Sequence, residues 1–423
     1  MPRSELLTET DRQALAGGPG GQPATDGVSC QVFTAWEPLE PMRSTWDEFI
    51  ERAGGEIHFT YDWCRTWWRY YGSRYRLRVL LFRCNGRIVG LLPMMLDRLW
   101  LGPIPLQMAK LIGSDYTLAV LNLPVLPDHA ETVYAMALEY LLQDQRCDLV
   151  RFNPISGERP YRRQIVAACE RSRSYATLIR ERGLQEHAVL TLPDSFEAYL
   201  ARLGSEFRST VRRKRRKFES ECKPVREILT DPEQVMPAFE EFLELHATRW
   251  QAEGRLGHFG DHPQAADFNR DLVRAMTPQG RVWMQRLRVD GQTVASEFNF
   301  VFAGTLHWRL PARRLGEQWE RFSIGVLSLT YLFEACMQRG IHRVEAGGGS
   351  IHYKRQLGGM VMMQLSLIVA ANRPWALFKS RYLLRACWRV LNMVHRIWVI
   401  RIGPRLPKRM RPSIWGVWMR MRI

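Results

Sequence analysis

No two of the eight cysteines in this 423-residue chain are spaced as C-x-x-C; Cys30, Cys64, Cys84, Cys147, Cys169, Cys222, Cys336 and Cys387 stand singly. Structural metal sites and thioredoxin-like redox centres need closely spaced ligands, so neither is expected, and no metal is expected. Nor does the amino terminus, MPRSELLTETDRQALAGGPGGQPATDG, contain an apolar leader. It is polar and Gly-rich and reads as a disordered lead-in, so reduced thiols in the cytoplasm are the expectation. No uncharged apolar run approaches the ~20 residues that span a bilayer. Acidic residues run out altogether after Glu345.

What the chain does have is core material. Hydrophobic residues make up 46% and there are 15 Trp, which excludes disorder over most of its length. At this size two domains are the default. Sixty Lys and Arg against 43 Asp and Glu leave a net charge of +17, which favours anionic partners: nucleic acid, phosphorylated cofactors or an acidic membrane face.

Along the chain, Trp63, Trp67 and Trp68 mark one face of an amphipathic helix. Two apolar runs then flank Asn85-Gly86, a strong hairpin signal. A helix at 129–143, a strand at 147–153 and a helix at 162–171 lead to a polar stretch at 180–185, where the domain boundary is expected. The second half repeats that order. A helix over 195–203, a very basic helix over 208–218 and a long helix over 232–251 precede a three-stranded meander. Its turns are Asp290-Gly291 and Ala303-Gly304. A helix over 324–339 stops at Gly340, and a strand to Glu345 follows. The hairpin turns and the following strands recur at a nearly constant offset, as a duplicated α/β unit would show. The expected organisation is a lead-in over 1–30, a first α/β domain over 31–183, a second over 184–372 and a basic tail over 373–423.

A place for an anionic group is a strand, a turn and then a helix with small first residues, whose N–H groups and dipole face the ligand. Here strand 305–310 leads through Arg313, Arg314 and Arg321 to Ser323-Ile324-Gly325. The same pattern would suit an ordinary capped, buried helix.

The stretch 190–359 resembles the cellulose-biosynthesis-type acetyltransferases of the GNAT superfamily, which are related to the FemABX peptidoglycan aminoacyltransferases. The resemblance is carried by LPDSFEAYLARLGSEFRSTVRRKRRKFE, LHATRW, VDGQTVASEFNF and FSIGVLSLTYLFEACMQRGIHRVEAGGGSIHYKRQLGG. The first half fits more loosely, through Trp63, Trp67 and Asp115-Tyr116. It implies tandem GNAT-like α/β (α+β) domains with mixed sheets, the first copy degenerate, followed by a basic helical tail. It further implies acetyl-CoA or another acyl-CoA as co-substrate, held at Arg321, Phe322, Ser323, Ile324 and Gly325, and a small-molecule or saccharide acceptor. The family's Asn after its recurrent Arg is replaced here by Ser209, and the pyrophosphate signature survives only in Arg321 and Gly325.

Roles follow from residue type and position. On strand 294–302, Ser296, Phe298 and Phe300 face one way, Glu297 and Asn299 the other. Glu297 is a candidate general base, or else a solvated carboxylate. His246 is an alternative base, or a histidine packed beside Trp250. Glu345 closes a strand where side chains reach ligands in open sheets. On the resemblance, Tyr353 protonates the departing thiolate, Lys354 binds an anionic group and Arg208 contacts substrate; as alternatives, Tyr353 fills a core and Lys354 is solvated. No Cys or Ser lies in a nucleophile motif, which points to direct attack. The basic run Arg212–Lys217 wraps right round a helix and reads as solvated surface, or else as a phosphate or lipid head-group contact; it lacks the interleaved aromatics of a base-reading site, so nucleic acid is not expected. An aminoacyl-tRNA-dependent transferase and a non-catalytic scaffold of a polysaccharide machine are the rival readings. In the tail, Arg381, Arg385, Arg389 and Arg396 line one side of a helix, while Leu384, Trp388, Leu391 and Trp398 line another. With Trp415, Trp418, Arg420 and Arg422, this is the composition of an interfacial helix on anionic lipid, with the protein peripheral on the inner membrane face. A helical hairpin packed on the domain is the alternative.

Overall fold

The computed structural model describes residues 5–6, 27–115, 120–253, 257–260, 264–349, 351–402 and 405. Most of the lead-in, Tyr116 and the tail residues Trp415, Trp418, Arg420 and Arg422 lie outside them. The chain forms two compact units, one of residues 1–184 with 363–423, the other of residues 185–362.

The first unit begins with β1 (Val28–Phe33), α1 (Arg43–Arg52) and α2 (Tyr61–Tyr71). Trp63 and Trp67 of α2 are fully buried, as their helical spacing predicts, each contributing about 1.5–3 kcal/mol of burial. β2 (Arg76–Cys84) and β3 (Arg87–Leu101) are joined at Asn85-Gly86, where both residues adopt positive φ, 49° and 77°. Asn and Gly tolerate that region, and the turn's twist matches the strands. Then come β4 (Ile104–Leu111), α3 (Ala130–Glu139), β5 (Leu149–Ser156), α4 (Tyr161–Arg171) and β6 (Ala176–Thr191). The polar stretch at 180–185 is therefore strand rather than loop, and the units divide within it, between Leu184 and Gln185.

The second unit continues with α5 (Phe196–Arg202), α6 (Ser205–Cys222), β7 (Val225–Leu229), α7 (Pro232–Ala252) and α8 (Ala265–Met276). The meander is β8 (Val282–Val289), β9 (Gln292–Phe302) and β10 (Thr305–Arg313), followed by α9 (Ile324–Gln338), β11 (Arg343–Gly347) and the short α10 (Ile351–Gln356). β12 (Met360–Ala371) then carries the chain back into the first unit.

The strands of the two units follow one topology. In the first unit β1 to β4 are antiparallel neighbours, β5 joins β4 in parallel, and β12 runs antiparallel beside β5. In the second, β7 to β10 are antiparallel, β11 joins β10 in parallel, and the end of β6 runs antiparallel beside β11. Each parallel pair is short. Met108–Lys110 meets Leu149–Arg151 in the first unit, and Thr305–His307 meets Arg343–Glu345 in the second. β10 runs on for six residues beyond that pairing.

After β12, α11 (Pro374–Phe378), a wider turn Lys379–Leu383 and α12 (Leu384–His395) form one helical run. Leu384 is fully buried against Leu99, Leu101, Leu106 and Ile368, with Trp388 and Leu391 packed alongside. The side that the pattern gave to lipid is thus spent on the first unit's own sheet, because β3 and β4 offer it an apolar face. No described helix is long and apolar enough to cross a membrane.

Candidate active site

β9 is the centre of the site. Its residues are buried on both faces, and alternation decides what each meets. Phe298 packs against Phe239 and Phe242 of α7, with ring centroids 4.8 and 5.9 Å away. Glu297 points to the opposite side and is only 1% exposed, which rules out the solvated-carboxylate reading. Its carboxylate accepts from Trp308 Nε1 at 2.8 Å and from the Ser328 hydroxyl. Ser328 lies in α9 and is itself held by Gln285, the cross-strand partner of Glu297, whose Nε2 donates to its carbonyl (2.6 Å) and hydroxyl (3.1 Å). Burial pushes the Glu297 carboxyl up to about 8, against the pull of those donors and of the Arg313 and Arg249 charges.

Tyr353 sits beside this group, its ring edge-on to Trp308 at 6.3 Å. It is half-buried, and burial, together with the Glu297 charge, raises its phenol well above the ordinary tyrosine range. A phenol so placed stays protonated and can donate.

The start of α9 is the second part of the site. Ser323 is left-handed, with φ 54°, a conformation that costs a non-glycine residue on the order of 1 kcal/mol and gathers at functional sites. Its side chain does not cap the helix. Instead its Oγ accepts from Lys214 Nζ at 2.5 Å. At Gly325 the Arg313 guanidinium lies against the helix start: a Cβ there would lie 2.8 Å from its Nη1. Lys214 and Arg313 therefore stand at the positive end of a 15-residue helix whose first turn has no acidic residue. Cations at that end are unfavourable alone and become favourable when an anion joins them.

Other expected residues are placed differently. Phe322 and Ile324 are 1% and 2% exposed and pack in the core with Phe218 and Leu327, so only their backbone could meet a ligand. Arg321 is exposed and paired with Glu221 at 2.8 Å. His246 is not placed as a base. Its Nδ1 donates to the Pro311 carbonyl (3.1 Å), its Nε2 faces His258 Nδ1 (3.3 Å), and burial lowers both rings to about 4. Lys354 does not sit in solvent. It is 3% exposed, and its ammonium donates to the carbonyls of Ala346, Gly347 and Gly348, so it shapes the glycine loop after β11. Glu345, 8% exposed, accepts from Arg343 Nη2 at 2.6 Å. Arg208 donates to the Ala201 carbonyl at 3.2 Å, a contact within the helical start of the unit.

Half of the basic run of α6 is paired with carboxylates. Arg212 pairs with Glu197, Arg215 with Glu219 and Glu334, and Lys217 with Glu221. Lys214 was legible in the pattern: positions 211, 214, 215 and 218 share a helix face with buried Val211 and Phe218. Trp308, Ser328, Gln285 and Arg249 carried no such signal.

A family model for a GNAT-type acetyltransferase domain matches residues 205–355, which span every element of this site. Residues 205–355 thus form a GNAT-type acetyltransferase domain. Among solved structures FemX shares the fold, at a TM-score of 0.58 and 9% identity over 77% of this chain and 95% of FemX. A conserved protein from Bacteroides thetaiotaomicron matches 78% of this chain and 97% of its own at 10% identity and a TM-score of 0.49. L-PGS from Bacillus licheniformis matches 83% and 98% at 14% identity and a TM-score of 0.46. No curated protein sequence matches. The GNAT domain thus supplies an acyltransferase fold, within which Glu297, Trp308, Tyr353 and the start of α9 are brought together.

Proposed function

We propose that the GNAT domain transfers an acyl group, acetyl in the first instance, from acyl-CoA to an amine or hydroxyl by direct attack in a ternary complex. The observation that carries this reading is Glu297: a carboxyl that burial pushes up to about 8 and that Trp308 and Ser328 hold in place, as a general base working near neutrality needs. Lys214, Arg313 and the free N–H groups of the first turn of α9 would hold the CoA pyrophosphate. The co-substrate supplies the thioester. In the reaction the acceptor's N–C or O–C bond forms as the C–S bond breaks. Glu297 takes the acceptor proton, and Tyr353 gives one to the leaving sulfur. Trp308 and Ser328 fix the carboxylate, and Gln285 positions Ser328. The resemblance to cellulose-biosynthesis-type acetyltransferases supports a sugar, amino-sugar or cell-envelope precursor as acceptor. We place the protein in the cytoplasm, peripheral on the inner membrane face, from its free cysteines and its basic carboxyl-terminal segment.

Incubating the full chain with acetyl-CoA and a panel of amines and amino-sugars, and following thiol release, tests the reading. Wild type should turn over and Glu297→Gln should not. Transfer from charged tRNA with no thiol release from any acyl-CoA would establish the aminoacyl-tRNA alternative. Inertness with both donors would leave the scaffold reading.

A further inference from the structure

The helical run from Pro374 onward buries Ala376, Lys379, Ser380 and Leu384 against the first unit, and Lys379 ion-pairs with Asp148 there at 2.5 Å. A helix so docked normally turns polar residues outward. This one does not. Trp375, Phe378 and Tyr382, at i, i+3 and i+7, are 56%, 45% and 64% exposed. Trp375 stacks on Phe378 at 5.3 Å and Phe378 meets Tyr382 at a tilt, 5.9 Å between centroids, and so the three form one aromatic ridge. Val390, Met393, Val394 and Ile397 extend the exposed apolar surface, each at least 43% exposed. Among them lie the exposed Arg381, Arg385 and Arg389, for which the described residues offer no salt bridge.

We propose that this outward ridge docks the protein on an anionic bilayer, with Trp375, Phe378 and Tyr382 at head-group depth and the arginines on lipid phosphates. The inference rests on the peripheral-membrane part of the reading above and deepens it, since the face is the one opposite to that which the sequence pattern suggests. Aromatic rings with a polar edge suit the bilayer interface, and each nearby basic residue adds on the order of 1 kcal/mol on anionic lipid. Charge argues against the chain covering the ridge itself. Residues 406–423 carry Lys408, Arg409, Arg411, Arg420 and Arg422 with no acidic residue, so they repel the arginines rather than neutralise them.

The test is co-sedimentation of the full chain with phosphatidylcholine vesicles with and without phosphatidylglycerol, against W375A/F378A/Y382A and K408Q/R409Q/R411Q. Wild type should bind only the anionic vesicles. The aromatic variant should bind on the order of tenfold more weakly, or worse, with an unchanged melting curve, because the three rings are exposed. Retained binding by that variant, with loss in the tail variant, overturns the ridge while keeping the membrane reading. No binding by wild type overturns both. Equal binding to neutral vesicles removes the arginines' role and overturns the proposal as stated. A wild-type dimer that the aromatic variant converts to monomer, with vesicle binding unchanged, identifies a second copy as the occupant and overturns it too.

Discussion

Each unit buries a carboxylate, and the two are used in opposite ways. In the first unit Asp115 meets Lys110 and, at 3.0 Å, Arg151, the last residues paired between β4 and β5. Lys110 also bonds Asp97 at 2.8 Å, and Tyr75 donates to Asp115 at 3.1 Å. All four charged groups are at most 1% exposed, and each is matched by an opposite charge in contact. In the second unit Glu297 is as deeply buried, but its contacts are neutral donors, Trp308 and Ser328, and Arg313 and Arg249 act on it only from a distance. Counter-charge in contact makes a carboxylate a strut. Without it, burial raises the proton affinity and leaves a group that can exchange a proton.

The comparison breaks most sharply on activity. Glu297→Gln keeps the Trp308 contact and the volume but cannot take a proton, so kcat should fall by about 10²–10⁴-fold with KM little changed. In wild type kcat/KM should rise with pH through about 8, and the residual rate of the variant should lose that rise. Stability carries the opposite sign. Because the folded carboxyl titrates above its ordinary 4.5, its contribution is complete below 4.5 and is lost as pH rises through about 8. The variant should lack this decline in urea melts at successive pH values. Asp115→Ala is the converse experiment. It strands Lys110 and Arg151 in a dry interior and should cost about 3–5 kcal/mol in urea unfolding, while turnover per folded molecule holds.

The legible parts of this molecule are those that local chemistry fixes. Asn85-Gly86 and Asp290-Gly291 specify their hairpins because few residues accept two successive positive φ values. The stripe of Trp63 and Trp67 specifies α2 because helix period and burial agree. Glu297 was legible as a position, but its burial was not. Whether a strand face meets solvent or a helix depends on α9, which lies about 30 residues further along the chain. For the same reason Lys354 read as a free cation: its three acceptors are backbone carbonyls, which sequence does not display. The tail's apolar side read as lipid-facing because nothing in its own composition reveals β3 and β4 beneath it.

Lys354 sharpens the contrast at intermediate size. Burial lowers its ammonium to about 8, yet it is kept by carbonyl acceptors rather than by a carboxylate. Lys354→Met should leave those carbonyls without their donor and destabilise the domain by about 1–3 kcal/mol. The activity loss should appear chiefly in kcat, through Tyr353, the preceding residue. Loss of acyl-CoA affinity alone would instead favour an anion-binding role.

The smallest effect separates His246 from Glu297. A neutral imidazole that donates from Nδ1 to Pro311 and meets His258 at Nε2 has no lone pair directed at an acceptor's proton. At about 4 it is also a far weaker base than a carboxyl at about 8. Its depressed value is instead a stability device with a definite sign. The contribution is fully present above the ordinary 6.5 and is lost as pH falls through about 4, where two buried rings must charge together. His246→Phe should therefore flatten the acid side of the stability profile between those limits, and it should leave kcat at pH 8 within about twofold of wild type. A loss as large as that of Glu297→Gln would reverse the assignment and make the histidine, not the carboxylate, the proton acceptor.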